Sequence, residues 1–496
     1  MATADRAVSV ALLGNGVIGL SIAVALKRRT PELSVAVIGP AGRPGGASPA
    51  AGAMLGCFGE LTERSLATPQ GRLRFRLAQA ASAAWDGWLA ALRDLAGPAV
   101  PEAAAGTHVF TNAASGAFED ANFARIAGQL NGAPSAPPTA AAMGLETDAT
   151  HRPMHTLHLP TERRIDARRL LSALEAAAQR LGVEIIDALA APPRPAGGGF
   201  RIAAEPGHPA LPLTAERVVI AAGALSHDLL AGVPEVARRV LPLFAGVGHA
   251  LILDTRPVLA DGAGPRGVVR TPNRAFACGL HAVPLADGRL YVGATNFVAP
   301  QPHALPWMVD AHFLMDCAMR QIHRDLEGAP VERILTGNRP VSLDTQPLIG
   351  ATGRPGLFVC TGTYRDGLHL SPVLADLMAR AVLGEPPDAG PAAEALDLFR
   401  PDRAPLPWGT PAEARHYALD NFMADIAEAG VALPPNRWDR RVARGLELQI
   451  DEAIAAATGA KPDLVLPPDF LPALVGNDQG MLARLRTAVA ALAGRE

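Results

Sequence analysis

Apolar positions form a short continuous run at Val8–Leu13, recur at helical spacing from Val17 to Arg29, and form a second short run at Val35–Ile38. Such short runs predict buried strands, and the spaced segment predicts a helix with Lys27, Arg28 and Arg29 in its last turn. Strand, helix, strand is the order of a βαβ unit. Its first turn reads Gly14-Asn15-Gly16-Val17-Ile18-Gly19. Gly14 permits the tight turn, Gly16 lets backbone approach a pyrophosphate, and Gly19 lets the helix pack on the strand. The helix N-terminus then turns its partial positive charge toward phosphate. In such units the second strand ends in an acid that holds ribose hydroxyls. Here it ends Ile38-Gly39-Pro40, with Arg43 following. A 2′-phosphate on Arg43 is one option, so the motif alone leaves FAD, NAD and NADP open.

Further along, Asp166–Leu181 reads as an amphipathic helix and Val183–Ile186 as a strand, with a polar turn at Ala191–Gly199. Arg217–Ile220 is a strand entering the small-residue turn Ala221–Ser226, where backbone can approach a flat ligand. Leu243–Leu253, Phe276–Val283 and Leu290–Asn296 have the pattern of an antiparallel sheet. Gly356–Cys360 is a strand, Thr361–Gly367 a loop and Leu368–Leu383 a helix. The predicted class is α/β with an added α+β part. A discontinuous Rossmann-like domain is interleaved with an antiparallel-sheet module.

Composition narrows the classes. At 496 residues the chain exceeds the size of one core, about 250–300 residues, so more than one domain is expected. Hydrophobic residues are 49% and charged residues 19%, which excludes a disordered chain. With 45 basic against 48 acidic residues the net charge is −3, which disfavours a nucleic-acid partner. Lys27 and Lys461 are the lysines, so most of the chain is closed to Schiff-base chemistry. Cys57, Cys278, Cys317 and Cys360 are too dispersed for a disulfide scaffold or a zinc site. His303, His312 and His323 lack zinc-ligand spacing, so no metal is expected. Val8–Leu26 has the apolarity of a signal peptide or membrane span, but the glycines that interrupt it fit the βαβ turn better. The expectation is a cytoplasmic protein with no membrane partner.

Several pieces together resemble a known family: GNGVIGLSIAVAL (14–26), GRPGGASPAAGAMLG (42–56), ERVVIAAGALS (216–226), DGRLYVGAT (287–295), GNRPVSLDTQPLIG (337–350), GLFVCTGTYRDGLHLSP (356–372) and FRPDR (399–403). In this order, over about the first 400 residues, the chain resembles the FAD-dependent D-amino-acid oxidase superfamily, and within it the glycine oxidase branch. The resemblance implies an FAD-binding domain from residues 1–85, 152–235 and 332–403, a substrate-binding domain from 86–151 and 236–331, and a helical extension over 404–496. It implies non-covalent FAD, with its pyrophosphate at Gly14, Gly16, Val17, Ile18 and Gly19. Ala47, Ser48 and the segment Ala50–Met54, with Ala53 and Met54, would approach its ribityl and ring parts, Gly223 would back it, and Arg43 is a further cofactor-binding candidate. Gly362, Arg365, Asp366, Gly367 and Leu368 would border the flavin.

For substrate, the resemblance makes Arg339 the clamp for a carboxylate, which suits a planar guanidinium that stays charged in a pocket. The structural alternative is an ion pair between Arg339 and Asp344 or another acid. Arg365, Tyr364 and Met54 would shape the same pocket. His281 falls where glycine oxidases carry a carboxylate-binding tyrosine, and an imidazole there could bind an anion, tune amine protonation, or simply be satisfied inside the sheet. Asp366 replaces a usual asparagine; facing the ligand it would favour a cationic or N-substituted amine, and otherwise it caps the helix that follows. Arg339, His281 and Arg365 are the residues expected to carry the chemistry. The implied reaction is oxidation of the Cα–N bond of a small amino acid or N-substituted glycine, with hydride transfer to flavin N5. The imine is hydrolysed, and dioxygen, as the implied acceptor, is reduced to hydrogen peroxide. An FAD dehydrogenase with another acceptor, a tRNA-modification oxidase domain and a flavin-bearing structural subunit are the alternatives, and self-association is left open.

Beyond Arg403, Pro405–Gly409 reads as a linker. Pro411–Gly430, Trp438–Gly459 and Met481–Ala493 read as helices, interrupted by Pro434, Pro435, Pro467 and Pro468. Tyr417, Phe422, Met423 and Ile426 share one broad face that needs a cover. Either the face packs on the catalytic body or a second subunit, or the extension is a lid over the substrate entrance.

Overall fold

The computed structural model describes residues 6–130, 138–204, 210–260, 263–428, 431, 433–434 and 437–494. Gly430 and Pro435 lie outside the described residues. The first sheet runs in the order Leu348–Ala351, Leu357–Thr361, Leu213–Ile220, Arg6–Leu13, Val35–Ile38, Glu184–Ile186. Arg6–Leu13 pairs in parallel with Val35–Ile38 on one side and Leu213–Ile220 on the other. The expected polar turn at 191–199 contains a strand, Arg194–Ala196, that forms a hairpin with Gly199–Ile202.

Alternate residues of these strands serve two cores. Val10, Leu12, Val35, Val37 and Val219 face a layer made by the helices Val17–Arg29, Pro69–Ala96, Ala167–Arg180 and Gly367–Leu383. Asp166 starts the third of these by accepting from the backbone N–H groups of Arg168 and Arg169 at 3.0 Å. The long helix Pro69–Ala96 is absent from the sequence-based expectations, although Thr68 caps it, Pro69 opens it, and Leu73, Leu77, Ala81, Trp85 and Leu92 bury one stripe.

Ala11, Leu13, Ile38, Val218 and Ile220 point to the opposite core, and the C-terminal region completes it. Ala418, Ile450, Phe470, Leu471, Leu474, Met481 and Leu485 are buried there with Phe244 and Val341. The helices are Pro411–Glu428, Trp438–Thr458, Leu471–Val475 and Gln479–Ala493. The broad face of the first packs on the body: Phe422 stands edge-on to Phe276 at 4.7 Å, and Tyr417 to Phe118 at 5.4 Å. Pro405–Gly409, expected as a linker, is docked as well, since Gln70 donates to the Pro407 carbonyl and the Leu406 N–H to Asp344.

Among the described residues the second sheet has nine strands and is mostly antiparallel, with Leu243–Asp254 pairing Phe297–Ala299, Arg289–Gly293 and Val331–Ser342. Pro153–Arg164 and Val331–Ser342, assigned in sequence to the cofactor side, both hydrogen-bond into this sheet. The expected strand Phe276–Val283 is strand only at His281–Pro284; at its start Phe276 takes a left-handed φ of 49° in a turn closed by the Arg274–Ala277 bridge. Among the described residues no helix is long and apolar enough to cross a membrane.

Candidate active site

A cavity of about 690 Å³ runs along the carboxyl ends of the parallel strands and into the space beneath the second sheet. Gly14, Gly16, Val17, Ile18, Arg43, Ala47, Ser48, Gly223, Arg339, Tyr364, Arg365, Gly367 and Leu368 all line it. The structure thus gathers residues from five distant segments onto one wall system.

At one end is the glycine turn. Gly14 has φ +120° and a Cβ there would stand 2.3 Å from the Ala221 carbonyl oxygen. A Cβ on Gly16 would meet only the Ser48 hydroxyl, at 3.3 Å, so the helix start stays open to the cavity. The helix Val17–Arg29 has no acid in its first turn, and Ser48 accepts from the Val17 N–H at 3.1 Å. This open, positively polarised cradle fits the pyrophosphate of a dinucleotide. Gly19 does not line the cavity: its Cβ would stand 1.9 Å from the Gly14 carbonyl oxygen, so its part is close packing of helix on turn.

Where an acid was missing at Gly39, the Asn15 side chain fills the space and donates to the Pro40 carbonyl at 2.9 Å. Arg43 is no free anion binder, because its guanidinium pairs with Glu175 and its Nε donates to the Asn15 carbonyl at 2.8 Å. The carboxylate that does line the cavity is Asp228, which the sequence reading passed over.

At the other end stands Arg339. Nη1 donates to the Thr295 carbonyl and to Asn296 Oδ1, both at 3.2 Å. Among the described residues no acid pairs with Arg339. Asp344, the structural alternative, is instead held by Arg403 at 2.9 Å. Tyr364 lies beside Arg339, with φ 51°, its N–H on the Pro340 carbonyl and its ring over Gly246. The Arg365 guanidinium stacks on the Tyr364 ring at 4.8 Å and donates to the Phe276 carbonyl at 3.3 Å.

Five further expected positions, His281, Asp366, Met54, Ala53 and Gly362, fall elsewhere. His281 is not among the lining residues. Its Nδ1 bonds the Gly279 carbonyl at 2.8 Å, which makes Nδ1 the donor and leaves Nε2 bare against Gly52. Burial, and then the Arg270 charge, push the imidazole down to about 4, so it is neutral and neither binds an anion nor titrates near neutrality. Tyr291 stacks on it at 5.6 Å, lines the cavity in its place and donates to the Ala50 carbonyl at 3.2 Å. Asp366 turns away from the cavity and pairs with Arg74 at 2.5 Å, while its backbone carbonyl accepts from the Leu370 N–H. Met54 sits in a two-residue strand paired with Arg164 and packs in a cluster with Val283 and Tyr291, and Ala53 accepts from the Ile165 N–H. Gly362, at φ +69°, packs against Leu348 and does not line the cavity.

Tyr364 and Arg365 also form the wall of a second, smaller chamber of about 220 Å³ under the C-terminal helices, with Glu60, Arg74, Tyr417 and Asp469 on its other sides. Burial would raise the Glu60 carboxyl, but the Arg270 guanidinium 2.6 Å away overrides it and holds it near 2.

Comparison with known proteins agrees with this geometry. The family described as FAD dependent oxidoreductase (DAO) matches residues 9–381. The chain belongs to that family. Its cofactor is therefore FAD, and the turn at Gly14–Gly19 is where this chain's residues fit it. The glycine oxidase of Pseudomonas putida is 30% identical over 181 residues, 36% of this chain and 45% of that protein. The bifunctional protein ThiO/ThiG of a Nostoc species is 27% identical over 232 residues, 46% of this chain and 32% of that protein. The aligned part thus spans less than half the length of these curated relatives. In structure, the glycine oxidase of Geobacillus kaustophilus superposes with a TM-score of 0.65 at 24% identity, covering 80% of this chain and 99% of that one. Iminodiacetate oxidase from a Chelativorans species gives 0.64 at 20% identity, covering 80% and 100%. These likenesses establish the fold, and the helices beyond about residue 403 are additional to it.

Proposed function

We propose that this protein oxidises the Cα–N bond of a small amino acid or N-substituted glycine, with non-covalent FAD and with dioxygen as acceptor. The observation that carries the reading is Arg339: a guanidinium on the wall of the FAD cavity that, among the described residues, is held by neutral oxygens and has no acid partner. A charge so enclosed calls for an anion, and a carboxylate satisfies it bidentately. FAD, when bound, supplies the hydride acceptor. The chain supplies position and electrostatics. Arg339 fixes the carboxylate, and with it the Cα, against the cavity wall. The nearby Arg365 adds a second positive charge, so the substrate amine is favoured in its neutral, electron-donating form by like-charge repulsion. The helix Gly367–Leu383 begins at the cavity wall, and its N-terminal dipole favours negative charge developing there. No side chain is required as a general base, and His281, bare at Nε2 but behind Gly52, does not reach the cavity. Arg339→Ala should retain FAD and raise the Michaelis constant for the amino acid by about a hundredfold, the loss of a charged bidentate bond. An unchanged Michaelis constant would refute the clamp.

A further inference from the structure

The C-terminal region, which lies beyond the residues matched by the family model, touches a residue of the cavity wall, Tyr364, through Asp469. Asp469 stands in the turn Pro468–Phe470. Phe470 anchors that turn, fully buried edge-on to Phe244 at 4.9 Å. From there Asp469 Oδ1 accepts the Tyr364 hydroxyl hydrogen at 2.9 Å. The same hydroxyl oxygen accepts from Asn296 Nδ2 at 2.7 Å. Asn296 Oδ1 in turn accepts from Arg339 Nη1 at 3.2 Å.

Each link has a fixed direction. A carboxylate is only an acceptor, so Asp469 commits the single tyrosine hydrogen to itself. The tyrosine lone pair is then what faces Asn296, and only the amide nitrogen can meet it. Asn296 Nδ2 spends its other hydrogen on the Phe276 carbonyl at 3.0 Å, so its oxygen is left for Arg339. The ring is held as well: Gly246, whose missing Cβ would stand 3.0 Å from the Tyr364 ring and 3.3 Å from Arg339 Cβ, lets the two side chains lie together. Without Asp469 the hydroxyl hydrogen is free to turn toward Asn296, where it opposes the amide N–H and loosens the support under the guanidinium.

We propose that Asp469 is a positioning residue for substrate binding, acting through Tyr364 and Asn296 on the Arg339 guanidinium, so that the C-terminal region forms part of the active site. The proposal rests on the reading of Arg339 as a carboxylate clamp, and the test separates the two. Glycolate, a simple carboxylate, is titrated into the FAD-loaded oxidised protein and its Kd is read from the flavin visible spectrum, with melting temperature as a check of folding. Asp469→Ala should weaken glycolate about tenfold, the scale of one charge-assisted hydrogen bond. Asp469→Asn, which keeps an acceptor oxygen, should restore binding to within about twofold. Tyr364→Phe should match Asp469→Ala, and the double variant should be no weaker than either, because the residues act as one chain. Kd values unchanged in Asp469→Ala or in Tyr364→Phe would overturn the proposal, and so would a double variant weakened by the product of the two effects. If Asp469→Ala does not fold, Tyr364→Phe decides by itself, since it leaves the Phe470 anchor intact. Arg339→Ala in the same titration reports on the clamp: binding that survives it refutes the clamp, whereas binding lost there but unaltered in Asp469→Ala refutes only the positioning role.

Discussion

The Arg339 guanidinium lies directly over Gly248: a Cβ on that glycine would stand 2.1 Å from Nη1 and 2.6 Å from the Thr295 carbonyl that Nη1 bonds. Gly248 pairs with Gly337 on the neighbouring strand, so the two glycines make a trough in the sheet in which a long side chain can lie flat. The clamp is therefore set by backbone approach as much as by the arginine itself.

Gly248→Ala follows from this contact. The guanidinium cannot keep both its carbonyl bond and its place over the strand, whereas the glycine turn at the far end of the cavity is untouched. We expect bound flavin at the normal level and a Michaelis constant raised about tenfold or more, read from steady-state kinetics and the visible spectrum. Full affinity in this variant would show that Arg339 does not need its observed pose.

Gly14→Ala should act at the opposite end. The position combines φ +120° with a Cβ 2.3 Å from the Ala221 carbonyl oxygen, so both backbone strain and overlap oppose it. The expected product is folded protein with a lowered melting temperature and little bound flavin, measured as the ratio of visible to ultraviolet absorbance after purification. Normal flavin content would contradict the assignment of this turn to the pyrophosphate.

His281 gives a pH signature of stability. Its folded pKa near 4 is below the usual 6.5, so the unfolded chain binds a proton that the native state refuses. The stability contributed by the neutral imidazole is fully present above about pH 6.5 and is lost as pH falls toward 4. Wild-type protein should lose on the order of 2 kcal/mol from this group between about pH 7.5 and about pH 5. His281→Gln should lose correspondingly less, as read by urea unfolding at the two pH values. Equal pH dependence in both proteins would mean that the imidazole is protonated in the fold.

Much of the cofactor half was legible in the sequence because its signals are local. Strand, glycine turn and helix occupy consecutive residues, and Gly14, Gly16, Ser48 and Gly223 line the cavity as the motifs require. Arg339 was singled out through the family resemblance of its short motif, and the structure places it on the cavity wall. The errors lie where distant pairings decide. Asp366 looked like a pocket acid, but its partner Arg74 is on a helix 292 residues away in sequence. His281 looked like the stand-in for a tyrosine, whereas the strand register puts Tyr291 beside it and gives Tyr291 the cavity-facing place. Asp469 carries no local signal at all: it is one acid in a Pro-Pro-Asp-Phe turn, and only the packing of Phe470 on Phe244 brings it to Tyr364. The C-terminal helices read correctly as helices, but that they complete the core on one face of the parallel sheet depends on contacts with strands hundreds of residues earlier.

The account is tested most directly by the visible spectrum of the purified protein before and after anaerobic mixing with pooled glycine, sarcosine, D-amino acids and L-proline. The prediction is a flavin spectrum that bleaches on mixing in the wild type, returns on admission of air, and bleaches far less readily at the same substrate concentration in Arg339→Ala. A flavin spectrum that persists through the whole pool in wild-type protein would contradict the proposed oxidation of small amino acids.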